Sequence, residues 1–318
     1  MKILFWGSSD FSIPFLEDLI NNSKIKIEYV ITHPDRPAGR GLKIKSSVVK
    51  EFAEKNNLEV LTPLYLIEED FLKKIFEREI DLSVVVSYGK IIPEEIINFH
   101  KLGMLNVHFS LLPKYRGAAP IQWCLIRGET TTGVTVFWLD KGMDTGDIFL
   151  QEEEPITIED DFRTLSERLV KLGKKLLKEA INKILLGEII KIPQNGIPSY
   201  APLITKKDAI INWSLSSYQI HNLVRALVLW PKASTKIKID NKIIDIKILQ
   251  TFPLDKEFNH LDTFTYGTII DVKKDYILVM CGECTLLKIL KVQPENRKPL
   301  TIEQFVCGYR VKKFDRFI

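Results

Sequence analysis

The sequence has few cysteines, no long apolar run and no phosphate-binding fingerprint, and each lack removes a class of protein. Four cysteines in 318 residues are too few for a disulfide framework. Cys281 and Cys284 form a CxxC pair, but zinc needs two more ligands at similar spacing and only Cys307 follows. Gly282-Glu283 between them reads as a tight turn joining two strands, not as the strand-to-helix entry of a redox pair. No metal is expected. No apolar stretch reaches the ~20 residues that cross a bilayer, so no membrane partner is expected either. Met1 to Gly7 (MKILFWG) reads as a strand entering a glycine turn, without the features of a signal or transit peptide, and the cytoplasm is the expected compartment. The turn that follows, Gly7 to Ser12, has one glycine where a dinucleotide fingerprint has three, and no Walker A sequence occurs.

What remains is an ordinary globular composition, long enough at ~150 residues per domain for two domains. The net charge of +4 is unevenly spread. From Lys206 onward 19 Lys and Arg face 12 Asp and Glu, a net +7, while residues 1–205 carry −3. A basic C-terminal third suits a polyanionic partner, and it also suits a plain solvated surface.

Over the first 190 residues short β-branched runs alternate with helical patterns: KILFWG, KIEYVIT, DLSVVVSYG and GMLNVHFS are each followed by a loop or helix. This implies a doubly wound, mostly parallel α/β sheet covered on both faces. GVTVFWLD and DIFLQEEEPI lie too close for a crossover helix and should pair antiparallel at an edge. Phe162, Leu165, Leu169, Leu172, Leu176, Ala180 and Ile184 then mark a long helix ending at Gly187. A stretch rich in Pro, Gly and polar residues reads as a linker, placed at 191–206. Beyond it come a helix near 217–229 and five short strands, which suggest a small OB-like barrel over 207–318. The Asp240-Asn241 and Lys274-Asp275 pairs read as hairpin turns.

A doubly wound sheet binds its ligand at the carboxyl ends of the strands. Three loops fall there, at 87–93, 110–120 and 140–147. Alternation puts Asn106 and His108 on one face of the strand that feeds the second loop, a pattern equally at home on a half-exposed edge strand. Asp144 lies in the third loop between Gly142 and Gly146. A neutral amide, an imidazole and a carboxylate suit acyl transfer to an amine. No Cys sits in these segments, and direct transfer without a covalent enzyme intermediate is favoured.

These segments resemble the folate-dependent formyltransferases. The likeness rests on Asn106-Val107-His108, on SLLPKYRGAAPIQW (110–123) and on DKGMDTGDI (140–148), with SYGKIIP (87–93) in support. It covers nearly the whole chain, with a departure at RALVLWPKAST, where an Asn-Pro would be expected before Trp230-Pro231. The resemblance implies a catalytic domain over 1–190 and a tRNA-binding OB-like domain over 207–318. It implies 10-formyltetrahydrofolate as co-substrate and Asn106, His108 and Asp144 as catalytic residues. Its folate pocket maps onto Tyr88, Gly89, Ile91, Ser110, Leu111, Leu112, Pro113 and Asp140.

The catalytic motifs do not separate a tRNA acceptor from an amino sugar. HPDRPAGRGLKIKSSVVK (33–50) does, because it looks like the loop with which tRNA-specific members grip the acceptor end. The implied acceptor is therefore the α-amino group of methionyl initiator tRNA, held by Arg36, Arg40, Lys43, Lys45, Lys206 and Lys207, with the enzyme a monomer. The alternatives are an amino-sugar N-formyltransferase, which would share the triad and the folate, and a non-catalytic RNA-binding protein built on the barrel.

Overall fold

The computed structural model describes residues 1–38, 43–239, 242–254 and 264–318. Its contacts divide into two compact units. One comprises Met1–Pro120, Thr131–Pro155 and Glu167–Pro202; the other comprises Ile121–Thr130, Ile156–Ser166 and Leu203–Ile318. Residues 192–201, read from composition as linker, are hydrogen-bonded into the first unit. Ile192 pairs with Ile148, and Tyr200 bridges to Arg116. Pro and Gly content marks irregular backbone there, not a free connector.

In chain order the elements of the N-terminal half begin with β1 (Lys2–Gly7), α1 (Ile13–Ile20), β2 (Lys26–Ile31), β3 (Arg36–Ala38) and β4 (Lys43–Lys45). They continue with α2 (Val48–Lys55), β5 (Val60–Leu61), α3 (Glu69–Phe76), β6 (Leu82–Val86), α4 (Glu94–Phe99) and β7 (Gly103–His108). After them come α5 (Pro120–Ile126), β8 (Thr131–Trp138), β9 (Ile148–Pro155) and α6 (Phe162–Leu185). The large sheet runs β5-β2-β1-β6-β7-β8-β9. It is parallel from β5 to β7 and antiparallel at the β8 and β9 edge, as the spacing of those two strands requires. Central β6 is buried at every position, as strands covered on both faces are. β9 alternates instead, since one face meets water. Among the described residues no helix is long and apolar enough to cross a membrane.

One buried polar chain crosses this core. Trp6 Nε1 donates to Ser83 Oγ (3.0 Å), and Ser83 Oγ lies 2.8 Å from His100 Nε2. Burial pushes the His100 imidazole down to about 4 from an ordinary value of 6.5. Between those two values an unfolded chain binds a proton that the folded chain excludes. The stability due to a neutral His100 is thus full above pH 6.5 and falls as pH drops toward 4. By pH 5 the loss should reach about 2 kcal/mol. Urea unfolding at pH 7 and pH 5 checks it: His100→Gln should lose clearly less stability over that interval than the wild-type chain. Equal losses would show that His100 does not carry the effect.

The C-terminal unit opens with α7 (Ser217–Ala226), whose Ser216 and Gln219 form a reciprocal capping box. It continues with β10 (Ser234–Ile239), β11 (Lys242–Leu254), β12 (Ile269–Val272), β13 (Ile277–Met280), β14 (Leu286–Pro294), β15 (Leu300–Thr301), α8 (Ile302–Tyr309) and β16 (Arg316–Phe317). The strands run antiparallel in the order β12-β13-β14-β11-β10-β16. A bridge from Thr268 to Arg316 brings the two ends together into a nearly closed, OB-like barrel. Ile237, Ile246, Val279, Leu287, Phe305 and Phe317 fill its interior. Of the two expected hairpin turns, Asp240-Asn241 lies outside the described residues; Lys274-Asp275 does join β12 to β13.

Of the CxxC pair, Cys281 belongs to this core, while Cys284 is half-buried against a smaller cluster of Leu278, Met280 and Leu286. Cys281 is fully buried, and burial raises its thiol far above the range in which a thiolate forms. Among the described residues no group of His, Cys, Asp and Glu is clustered to hold a metal ion.

Candidate active site

β7 ends at the carboxyl edge of the parallel strands, one strand from the point where the sheet order reverses. Asn106 lies opposite Phe137 and His108 opposite Thr135 of β8, so both side chains share a face, roughly 7 Å apart along the strand. Asn106 is half-buried, and its amide has no hydrogen-bond partner among the described residues. His108 is buried, with Nε2 2.9 Å from the carbonyl oxygen of Tyr115. A carbonyl only accepts, so Nε2 carries a proton and Nδ1 is the other face of the ring. That Nδ1 lies 3.7 Å from Asp144 Oδ2. Protonated at both nitrogens, the imidazolium would have an acceptor on each side.

Asp144 reaches this position through a strained turn between β8 and β9. Its φ of +53° is left-handed, a region Asp tolerates better than most residues. Oδ2 accepts from the Gly117 backbone N–H at 2.7 Å, a charge-assisted bond across 27 residues of sequence. Asp140 shapes the same turn: its Oδ1 accepts from Gly142 N (3.0 Å) and Thr145 Oγ1 (2.6 Å). Expected to touch folate, Asp140 therefore has a structural task on this carboxylate oxygen.

The folate-pocket candidates divide in two. Tyr88 is 2% exposed, its ring edge-on to Trp6 at 5.3 Å, so only its backbone is available to a ligand. Ser110 is buried with Oγ donating to the Lys114 carbonyl, and Leu112 is buried too. Gly89, Leu111 and Pro113 are not buried, and Ile91 is 80% exposed. These four are the ones whose side chains or backbone a ligand could reach. Lys90, unnoticed in the sequence, anchors the 87–93 loop by donating to the carbonyls of Leu64 (2.9 Å) and Pro63 (3.2 Å).

The acceptor candidates lie apart from the triad in sequence. Residues 36–38 and 43–45, expected as loop, pair antiparallel as β3 and β4, with Arg36 directly opposite Lys45. Both are exposed, as are Lys206 and Lys207. Arg40 lies outside the described residues, and only the backbone of Lys43 is described.

Sequence reading missed a second layer around the triad. Gln194 Nε2 donates to the carbonyls of Asp144 and Gly146, both at 2.8 Å. Gln194 Oε1 accepts from Arg116 Nη2 at 2.6 Å. Tyr115 N donates to Ser199 Oγ, Arg116 N to Ser199 O, and Ala201 N to Arg116 O. Gln151 Nε2 donates to Leu112 O and Thr135 Oγ1. No motif flags Gln194 or Ser199, because their stretch carries neither helical nor strand periodicity.

The arrangement offers an amide donor on β7, a buried imidazole at its end and a carboxylate facing that imidazole. It can steady an oxygen that gains negative charge and move a proton. The family model described as formyl transferase matches residues 1–181, and that of the formyl transferase C-terminal domain matches 203–310. The methionyl-tRNA formyltransferase of Acetivibrio thermocellus is 43% identical over 314 residues, spanning 98% of this chain and 97% of that one. That of a Sulfurihydrogenibium species is 42% identical over the full length of both. Among solved structures, an N-formyltransferase from Helicobacter canadensis, in complex with folinic acid and dTDP-3-aminofucose, superposes with a TM-score of 0.67 at 22% identity. It covers 91% of this chain and 99% of its own. At that identity the likeness speaks for the fold.

Proposed function

We propose, from the premise that this chain belongs to the formyl transferase family, that it formylates the α-amino group of methionyl initiator tRNA. The chain is a formyl-transferring enzyme, and 10-formyltetrahydrofolate is the co-substrate that supplies the formyl group. The observation that carries the acceptor is the full-length identity of 42–43% to two methionyl-tRNA formyltransferases.

Three side chains divide the work. The amine that attacks must be neutral; an α-amino group titrates near ~8 in a peptide, and esterification lowers that value. Asn106, whose amide is uncommitted, donates to the formyl oxygen as it gains charge. Such a donor is worth about 10²–10³ in rate. His108 sets positive charge beside the same oxygen and, with Nε2 on Tyr115 and Nδ1 on Asp144, helps a proton reach the leaving nitrogen by way of Asp144 or water. Asp144 steadies the imidazolium through Nδ1 and takes up, directly or through water, the proton lost by the amine. Ile91, Leu111 and Pro113, with the backbone at Tyr88 and Gly89, hold the pterin. All three catalytic side chains come from one chain, so a monomer suffices, and work on charged tRNA places it in the cytoplasm.

The β3–β4 hairpin supports the tRNA reading in a second way. Like charges directly opposite on two strands repel, so the Arg36 and Lys45 pair costs stability unless an anion lies between them. A phosphate of the acceptor end is such an anion. The double variant Arg36→Ala, Lys45→Ala should weaken use of methionyl-tRNA and flatten the logarithmic salt slope of binding by about 1.5. Folate affinity should stay within a few-fold. An unchanged slope would remove the hairpin from the interface.

One assay tests the function itself. The protein is mixed with 10-formyltetrahydrofolate and either methionyl-tRNA or a nucleotide-linked amino sugar, and release of tetrahydrofolate is followed. Release with methionyl-tRNA alone is expected. Release with the sugar alone would reassign the acceptor, and release with neither would overturn the reading.

A further inference from the structure

Residues 191–200 turn their apolar side chains outward: Ile192 is 54% exposed, Ile197 is 89% exposed and Tyr200 is 57% exposed. Of these ten residues only Gln194 and Ser199 are half-buried. The segment thus presents two polar groups to the protein and its oily ones to water, the reverse of a strap held on by apolar burial. What Gln194 and Ser199 touch explains the inversion. The His108 ring is flanked by the Tyr115 carbonyl on the Nε2 side and the Asp144 carboxylate on the Nδ1 side. Ser199 holds the first through the N–H of Tyr115 (2.9 Å), and Gln194 holds the second through the carbonyls of Asp144 and Gly146. Gln194 also ties both together, since its Oε1 takes Arg116, the residue next to Tyr115.

We infer that Gln194 is a positioning residue for the His108 and Asp144 pair. A left-handed non-glycine residue persists only where its surroundings over-determine it. At Asp144 that surrounding is the Gly117 N–H on the carboxylate and the Gln194 amide on the main chain. Without the amide clamp the turn relaxes and the carboxylate drifts from Nδ1. A side-chain misplacement of ~1 Å is enough to cost about a hundredfold in turnover. The Gln194 side chain bonds to neither the 87–93 loop nor Leu111 and Pro113, so folate binding is spared.

The kinetic half of the test rests on the proposed formyl transfer; a spectroscopic half does not. In Gln194→Met, which keeps length but neither donates nor accepts strongly, kcat with methionyl-tRNA should fall tenfold to a hundredfold, with KM for folate within about threefold. Gln194→Glu keeps the Arg116 partner yet loses both N–H donors, and should be impaired as well. Ile197→Ser, on the outward side of the same segment, should match the wild type. Ring nitrogen shifts of His108 in ¹⁵N-labelled, ligand-free protein report the Nδ1 environment; they should move in both Gln194 variants and not in Ile197→Ser. Wild-type shifts together with wild-type kcat in a folded Gln194→Met would overturn the inference. If the wild-type chain formylates nothing, the proposed function falls and the ¹⁵N shifts still decide the role of Gln194. Poor folding of Gln194→Met is checked by binding of a folate analogue; in that event Gln194→Glu, isosteric with the native residue, decides the matter by the same two readouts.

Discussion

Asp144→Asn should lower the rate of formyl transfer by about 10²–10⁴-fold while leaving folate binding nearly intact. Asparagine keeps the size of the side chain, tolerates the left-handed backbone at φ +53° and can still accept from the Gly117 N–H. What it loses is the charge that faces His108 Nδ1 at 3.7 Å. A neutral amide cannot steady an imidazolium there, nor take a proton from the attacking amine. His108→Ala removes the imidazole and should fall in the same range. Asn106→Ala removes only the proposed donor to the developing oxyanion and should cost about 10²–10³. Single-turnover rates beside equilibrium binding of a folate analogue separate chemistry from binding. None of the three substitutions alters Ile91, Leu111 or Pro113, the residues proposed to hold the pterin, so affinity for the analogue should change little. Near-normal single-turnover rates in any of them would remove that residue from the chemistry.

Gly117→Ala is expected to have the next largest effect, and to reach stability as well as turnover. Gly117 has φ +121°, a conformation open to glycine and to almost nothing else. A Cβ placed there would stand 2.7 Å from the Ala201 carbonyl oxygen, a main-chain atom that cannot swing aside. Yet Ala201 is bound to this loop: its N–H donates to the Arg116 carbonyl, and its own carbonyl accepts from Ala119. Relieving the clash therefore means parting the 192–201 segment from the 115–119 loop. The Gly117 N–H would shift from Asp144, and Tyr115 would shift from His108. The substitution should cost about 1–3 kcal/mol in backbone strain and lower kcat about a hundredfold. Chemical denaturation and turnover measured on the same preparation check both halves. An alanine variant with native stability and native rate would contradict this account of the loop.

Some of this was legible along the chain, because it is decided within a few residues. Side chains alternate along any strand, so Asn106 and His108 had to share a face whatever lay beside them. The short gap between β8 and β9 required antiparallel pairing, and the long apolar stripe from Phe162 to Ile184 required a helix. The Thr301-x-x-Gln304 capping box passed unread. It caps α8, a helix whose eight residues are too few for periodicity to stand out. β16, two residues long, carries no pattern at all, and its place at the closing edge of the barrel comes from partners far away in the chain.

The geometry of the candidate site was decided at that longer range. Nothing local distinguishes Tyr88, whose ring sits in the core, from Ile91, three residues on and largely in solvent. Composition marked residues 192–201 as connector, and hydrogen bonds across 50 to 84 residues make them part of the site. The sequence by itself determined which chemical groups meet at the end of β7, since alternation and motif spacing are properties of neighbouring residues. Only the tertiary structure decided that His108 points Nε2 at Tyr115 and Nδ1 at Asp144, because each contact joins separate loops whose approach no local periodicity encodes.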